Sequence, residues 1–225
     1  EKLIAANLSH ILIVVATEPG FSDLLVPRCI VAAESQDITP IIVLNKADLG
    51  DRLDAARTQL ALFRALGYEV IEISALQGAA GLRARLAGLQ SILVALIPDA
   101  QAATREISEA LDSGKHTTTF ARLYPLSAPP IDEAESEEGA GWLIDSPGLQ
   151  VFGLAHVSAD ELAESFIEFR PLLGQCRFRD CRHDAEPGCA LLEALAGGRI
   201  APRRFEHYRT IRAEIAEAKR LNPGW

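Results

Sequence analysis

The sequence predicts an α/β fold: a doubly wound, mostly parallel sheet over residues 1–155, followed by a small helical metal-binding domain over 156–225. Three observations predict it. Apolar strand-like runs alternate with segments of helical period in the order βαβαβα, which calls for parallel strands joined by crossover helices. One of those runs, Ile41-Ile42-Val43-Leu44, stops abruptly at Asn45-Lys46-Ala47-Asp48, as a buried strand does when it delivers polar side chains to its C-terminal rim. Finally, Cys176, Cys181 and Cys189 crowd with His183 into one short stretch, and a long helical pattern follows it.

Composition narrows the class. A chain of 225 residues with 48% hydrophobic content can bury a substantial core. No apolar run reaches the ~18–20 residues of a membrane span, and Glu1-Lys2 leads into no secretory apolar core, so we expect a cytoplasmic protein with no membrane partner. Charge is divided unevenly. Residues 1–170 carry 12 Lys+Arg against 24 Asp+Glu, whereas 171–225 carry 10 against 7. An acidic body opposes unspecific nucleic-acid binding, but the basic final segment can meet RNA.

In chain order, His10 to Thr17 reads as a buried strand, and Ser22-Asp23 opens a helix running to about Ser35 with Cys29 in its core. After the central strand, Asp51 to Leu66 is helical by period, Tyr68 to Ile73 is a strand, and Ala79 to Leu89 is a further helix. Ser91 to Val94 starts a fourth strand and passes straight into Ala95-Leu96. A short helix over Arg105 to Leu111, a polar loop over Ser113 to Thr119 and a strand over Phe120 to Leu126 follow. Ser127 to Gly139, rich in Pro and Glu, reads as a connection to the strand Gly141 to Ile144. Pro202 to Leu221 is the terminal helix.

The chemistry of the strand ends fits guanine. Asp48 can accept two parallel hydrogen bonds from the ring N–H and the exocyclic amine, Asn45 can tie the loop to the base, and the Lys46 stem can lie over its face. Adenine presents an acceptor there and is refused, a discrimination worth roughly 1–3 kcal/mol. Ser74-Ala75-Leu76, one strand over on the same rim, can offer a backbone N–H to the purine carbonyl. Asp145-Ser146-Pro147-Gly148 also follows a strand; its carboxylate can reach Mg²⁺ and its glycine N–H a γ-phosphate. The threonines of Lys115-His116-Thr117-Thr118-Thr119 can equally be strand formers, or Thr118 and Thr119 can ligate Mg²⁺ and sense that phosphate. One part is missing: no G-x-x-x-x-G-K-[ST] phosphate loop follows the fourth strand, and Gly114-Lys115 lacks its spacing.

Cys176-x₄-Cys181-x-His183-x₅-Cys189 supplies three thiolates and one imidazole, a closed tetrahedral set for one structural Zn²⁺. Arg177, Arg179 and Arg182 ride on that knuckle, and Arg203, Arg204 and Arg209 on the terminal helix.

Taken in this order, Asn45-Lys46-Ala47-Asp48, Ser74-Ala75-Leu76, the Lys115–Thr119 loop and Asp145-Ser146-Pro147-Gly148 resemble the circularly permuted P-loop GTPases. Together with the cysteine cluster they are similar to the RsgA (YjeQ) ribosome-assembly family. The order is the specific signal, because an ordinary GTPase places its base-reading motif after its phosphate motifs. The resemblance implies hydrolysis of GTP to GDP and phosphate with Mg²⁺, stimulated by the small ribosomal subunit and coupled to its late maturation. It implies His116 as the group that positions water, since Leu149 stands where many GTPases place a glutamine. It implies rRNA contact through Arg177, Arg179, Arg182, Arg203, Arg204 and Arg209, and a monomer is expected. The family's N-terminal OB-type domain is absent ahead of the first strand here, and its phosphate loop, about a dozen residues, is missing between Val94 and Ala95, where we expect the sequence to close over residues of the natural chain. A truly deleted loop would leave the alternative of a nucleotide-blind RNA- or ribosome-binding module on a GTPase scaffold.

Overall fold

The computed structural model describes residues 8–86, 89, 91–96, 122–126, 141–145 and 154–221. The apolar runs β1 (His10–Ala16) and β2 (Thr39–Asn45) pair in parallel from His10 opposite Thr39 to Ala16 opposite Asn45. On the far side of β2 lies β3 (Glu69–Glu72), while β4 (Ser91–Leu96) pairs with the other edge of β1. The strand β5 (Arg122–Leu126) is antiparallel to β6 (Gly141–Asp145), which is itself parallel to β4. The resulting order is β3-β2-β1-β4-β6-β5, mostly parallel as the alternation predicts. The chain builds outward from β1 through β2 to β3 and then returns to the opposite side of β1. That reversal puts the topological switch point at the C-terminal ends of β1 and β4, where open α/β sheets take their ligands.

Side-chain alternation covers both faces. Leu12 and Val14 stand in register with Ile41 and Val43, and these four pack in one cluster with Leu82 and Leu86 of α3 (Ala80–Leu86). Ile11, Ile13, Ile42 and Leu44 point to the other face and are equally buried. The edge strand β3 shows the same two-sidedness in its charges. Glu69 accepts from Arg85 of α3 at 2.7 Å, and Glu72, three residues on, accepts from Arg57 and Arg64 of α2 (Gly50–Ala65), each at 2.7 Å. Paired carboxylates on both sides of a short edge strand also discourage edge-to-edge association. The remaining sheet-side helix, α1 (Leu25–Glu34), buries Cys29, whose thiol is pushed up to about 12 by burial. The expected helix over Arg105 to Leu111, the loop Ser113 to Thr119 and the connection Ser127 to Gly139 lie outside the described residues.

The chain divides into two units, Glu1–Cys29 with Ile38–Phe152, and Ile30–Asp37 with Gly153–Trp225. The second contains the short helices α4 (Ala159–Glu164) and α5 (Ala190–Ala196) and the long α6 (Pro202–Leu221). Ser158 caps α4 in a reciprocal box with Glu161, which satisfies two otherwise orphaned N–H groups. Phe166 and Phe169 stack at 5.0 Å, and Tyr208 of α6 meets them edge-on at 5.5 and 5.2 Å, giving this unit an aromatic core of its own. Among the described residues no helix is long and apolar enough to cross a membrane.

Candidate nucleotide-binding rim and metal centre

Asn45 ends β2 fully buried, and its side-chain oxygen accepts the Ala75 N–H at 3.0 Å, so the loops after β2 and β3 are tied into one rim. Ala47 N–H donates to the Ile73 carbonyl at 3.0 Å and strengthens the same tie. Lys46 takes a left-handed backbone, φ 60°, which a non-glycine residue adopts only when neighbours enforce it. The neighbours directly follow β1. Thr17, 3% exposed, donates its hydroxyl to the Lys46 carbonyl at 2.9 Å, and the Lys46 ammonium donates to the Glu18 carbonyl at 2.9 Å. The lysine stem is thereby stretched along the rim, while Asp48, two residues further, is exposed with its carboxylate available.

Sequence reasoning grouped Asn45, Lys46, Asp48, Ser74, Ala75 and Leu76, and the structure brings their segments together. It did not find Thr17 or Glu18. The parallel register carried the signal, because Ala16 opposite Asn45 places the residue after β1 beside Lys46. The structure also alters a detail. The Ala75 amide is engaged by Asn45, which leaves the Leu76 amide as the rim donor without a partner among the described residues. Asp145 ends β6 opposite Val94, on the same rim and next to the switch point. His116, Thr118, Thr119 and Gly148 lie outside the described residues. In this chain β4 runs uninterrupted through Val94 and Ala95, and Leu96 pairs with Val14.

Cys176, Cys181, His183 and Cys189 converge in the second unit, their ligand atoms all within 4.8 Å of one another. Cys176 Sγ is 4.0 Å from Cys189 Sγ and 3.6 Å from His183 Nδ1, which is 3.4 Å from Cys189 Sγ. A tetrahedral ion with bonds of about 2.3 Å to sulfur and about 2.0 Å to nitrogen sets its ligand atoms roughly 3.5–3.8 Å apart, so these four residues fit one. Burial lowers the His183 pKa, favouring the neutral ring that ligation needs.

The loop that carries the ligands is shaped by a residue the sequence did not single out. The Glu186 carboxylate accepts the N–H groups of Asp184, Arg182 and Ala185 at 2.8, 2.9 and 3.1 Å, which pulls its pKa down to about 2. It braces a turn in which His183 itself has φ 57°. Gly188 answers a second constraint: at φ 74° a Cβ would meet Arg177 Cβ at 2.9 Å, and the two backbones are joined from Arg177 N–H to the Gly188 carbonyl at 2.9 Å.

Of the arginines expected at an RNA face, Arg177, Arg179, Arg182 and Arg209 are exposed and Arg203 is half-buried. Arg204 must be removed from that set. It is 1% exposed, donates to both Glu168 oxygens at 2.6 and 3.2 Å, and lies 4.3 Å above the Phe166 ring. The helical turn explains the split, since adjacent residues point about 100° apart and Arg204 shares the inward stripe of Tyr208, Ile211 and Ile215.

The description of the RsgA GTPase family matches residues 1–155. A small ribosomal subunit biogenesis GTPase RsgA of Burkholderia pseudomallei is 50% identical over 236 aligned residues, which cover 97% of this chain and 71% of that protein. The chain belongs to the RsgA GTPase family. Solved structures place it alongside YjeQ from Thermotoga maritima, with a TM-score of 0.75, 27% identity, and coverage of 93% of this chain and 72% of that one. YloQ, described as a circularly permuted GTPase, superimposes with a TM-score of 0.73 at 24% identity, over 95% of this chain and 70% of that one. An RsgA-family sheet thus reads its motifs in permuted order, with Asn45–Asp48 ahead of Asp145 along the chain.

Proposed function

We propose that this protein hydrolyses GTP to GDP and phosphate, that it does so on the small ribosomal subunit, and that turnover is coupled to late maturation of that subunit. The observation that carries the reading is the preformed rim, Asn45 bonded to Ala75 with Lys46 held at both ends, in a chain of the RsgA GTPase family. In this proposal Asp48 takes the guanine ring N–H and amine, Lys46 lies over the base, and the Leu76 amide donates to the purine carbonyl where Ser74 and Ala75 shape the loop. Asp145, Thr118 and Thr119 hold Mg²⁺ with GTP, Gly148 meets the γ-phosphate, and His116 positions the attacking water. Cys176, Cys181, His183 and Cys189 hold one structural Zn²⁺, which contributes folding free energy and leaves no coordination position open for chemistry. The partners are the small subunit and its rRNA, met by Arg177, Arg179, Arg182, Arg203 and Arg209, with the protein acting as a cytoplasmic monomer.

In this proposal the phosphate loop belongs between Val94 and Ala95, near the C-terminal end of β4. The Burkholderia alignment, at 236 residues, is longer than this 225-residue chain, so the relative carries positions within the matched region that this sequence lacks. A nucleotide-blind ribosome-binding module is the second reading, favoured by the absence of G-x-x-x-x-G-K-[ST] from the sequence. The base tests the choice. Asp48→Asn should weaken GDP by at least the ~1–3 kcal/mol of a bidentate pair and strengthen xanthosine diphosphate, whose extra carbonyl accepts from the new amide. Equal calorimetric affinity of the unaltered protein for ADP and GDP would refute guanine recognition, and no binding of either would favour the nucleotide-blind module.

A further inference from the structure

The knuckle presents an aromatic ring that no role assigned so far requires. Among the described residues Phe178 is one of the few large hydrophobic side chains left in solvent, 42% exposed, and it sits between Arg177 and Arg179. The Arg177 guanidinium lies 5.5 Å from its ring centroid. Arg177, Arg179 and Arg182 are exposed and form no ion pair among the described residues. The acids nearby are otherwise engaged, apart from exposed Asp180: Asp184 pairs with Arg212 at 3.2 Å and Arg209 at 3.6 Å, and Glu186 is taken up by three backbone N–H groups. The segment is held firmly, by the Cys176–Cys189 ligand cluster on one side and by Arg177 N–H on Gly188 at the other. An aromatic face flanked by unneutralised guanidinium groups on a rigid support is what a single-stranded nucleic acid needs for one base to stack while its phosphates are neutralised.

We infer that Phe178 is a stacking platform for an unpaired base of RNA, with Arg177 covering the ring and Arg179 and Arg182 meeting the adjoining phosphates. This rests on the reading that the protein binds the small subunit, and it names what that binding recognises. A flipped or looped nucleotide is specified rather than a duplex, because a paired base offers no free face.

The test is binding of the protein, zinc loaded, to purified small subunits over a series of salt concentrations, with the subunit's RNA probed chemically in the complex. Phe178→Ala should reduce affinity roughly 5- to 150-fold, the range of alanine substitution at a base-stacking aromatic, without changing the slope of log affinity against log salt, since no phosphate contact is lost. Phe178→Tyr should restore binding, and one unpaired nucleotide protected by the unaltered protein should lose protection in Phe178→Ala alone. Retained zinc content shows that the knuckle is intact, and Phe178→Leu, which keeps apolar bulk without a π face, provides a second variant. Undiminished binding by Phe178→Ala overturns the inference while leaving small-subunit binding standing. Full rescue by Phe178→Leu, with no nucleotide changing its protection, overturns it in favour of a protein contact. If the unaltered protein fails to bind small subunits, the reading beneath it falls as well.

Discussion

Arg203 and Arg204 are neighbours in sequence and have different roles. The Arg204–Glu168 pair is 1% and 8% exposed in its side chains, so removing one partner strands a charge in the core. Arg204→Ala should therefore destabilise the protein by about 3–5 kcal/mol, whereas Arg209→Ala, on an exposed pair at 3.6 Å, should change stability by less than about 1 kcal/mol. Thermal or denaturant unfolding of the two variants decides this, and equal small losses would mean that Arg204 is not the buried anchor described. Glu186 acts in the opposite setting, on the surface. Its folded pKa is depressed to about 2 from 4.5, so its contribution is fully present above about 4.5 and is lost as pH falls toward about 2. Near neutral pH the brace is intact, and Glu186→Ala should weaken zinc by roughly 10–100-fold, the scale of other outer-shell substitutions. Competition with a chromogenic chelator measures it; an unaltered affinity would show that the ligands converge without the brace.

At the scale of elements, sequence and structure agree best where one force dominates. Strands β1 and β2 are continuous apolar runs buried on both faces, and α6 spans Pro202–Leu221 as its proline start and period imply. The Cys-His spacing was equally legible, because thiolate and imidazole clustering has few other uses. What the sequence concealed depends on tertiary neighbours. Thr17 matters only because parallel register sets it beside Lys46, and the Ala75 amide is engaged only because Asn45 folds back upon it. The arginine face failed for a related reason: charge was counted along the chain, while the helix sorts it by angle. The knuckle offers a direct check on element stability. Between Leu172 and Ala190 there is no helix or strand, whereas Phe166, Phe169, Phe205 and Tyr208 pack ring against ring from segments outside that stretch. Chelation should thus accelerate amide exchange over 176–189 and leave most helical circular dichroism in place. Loss of the helical signal together with the metal would show instead that the whole unit folds around the ion.

For the molecule as a whole, one chain joins a proposed nucleotide rim in an acidic unit to a metal-fitted unit whose final segment, residues 171–225, is basic. The sheet order β3-β2-β1-β4-β6-β5 puts the β1–β4 switch point, the Asn45–Asp48 loop and the end of β6 on the same edge, which is why motifs scattered in sequence can serve one nucleotide. The permuted chain order leaves that spatial arrangement intact and changes only where the polypeptide begins to trace it. The charge division, 12 basic against 24 acidic residues before Pro171 and 10 against 7 from there on, makes the final segment of the chain, not the second unit as a whole, the part suited to a polyanion. The measurement that tests this most directly is nucleotide turnover by the purified protein, with GTP or ATP, alone and with small or large ribosomal subunits added. The account predicts hydrolysis of GTP and not ATP, slow for the protein alone and accelerated by small subunits only; equal turnover of both nucleotides, or a GTP rate indifferent to small subunits, would contradict it.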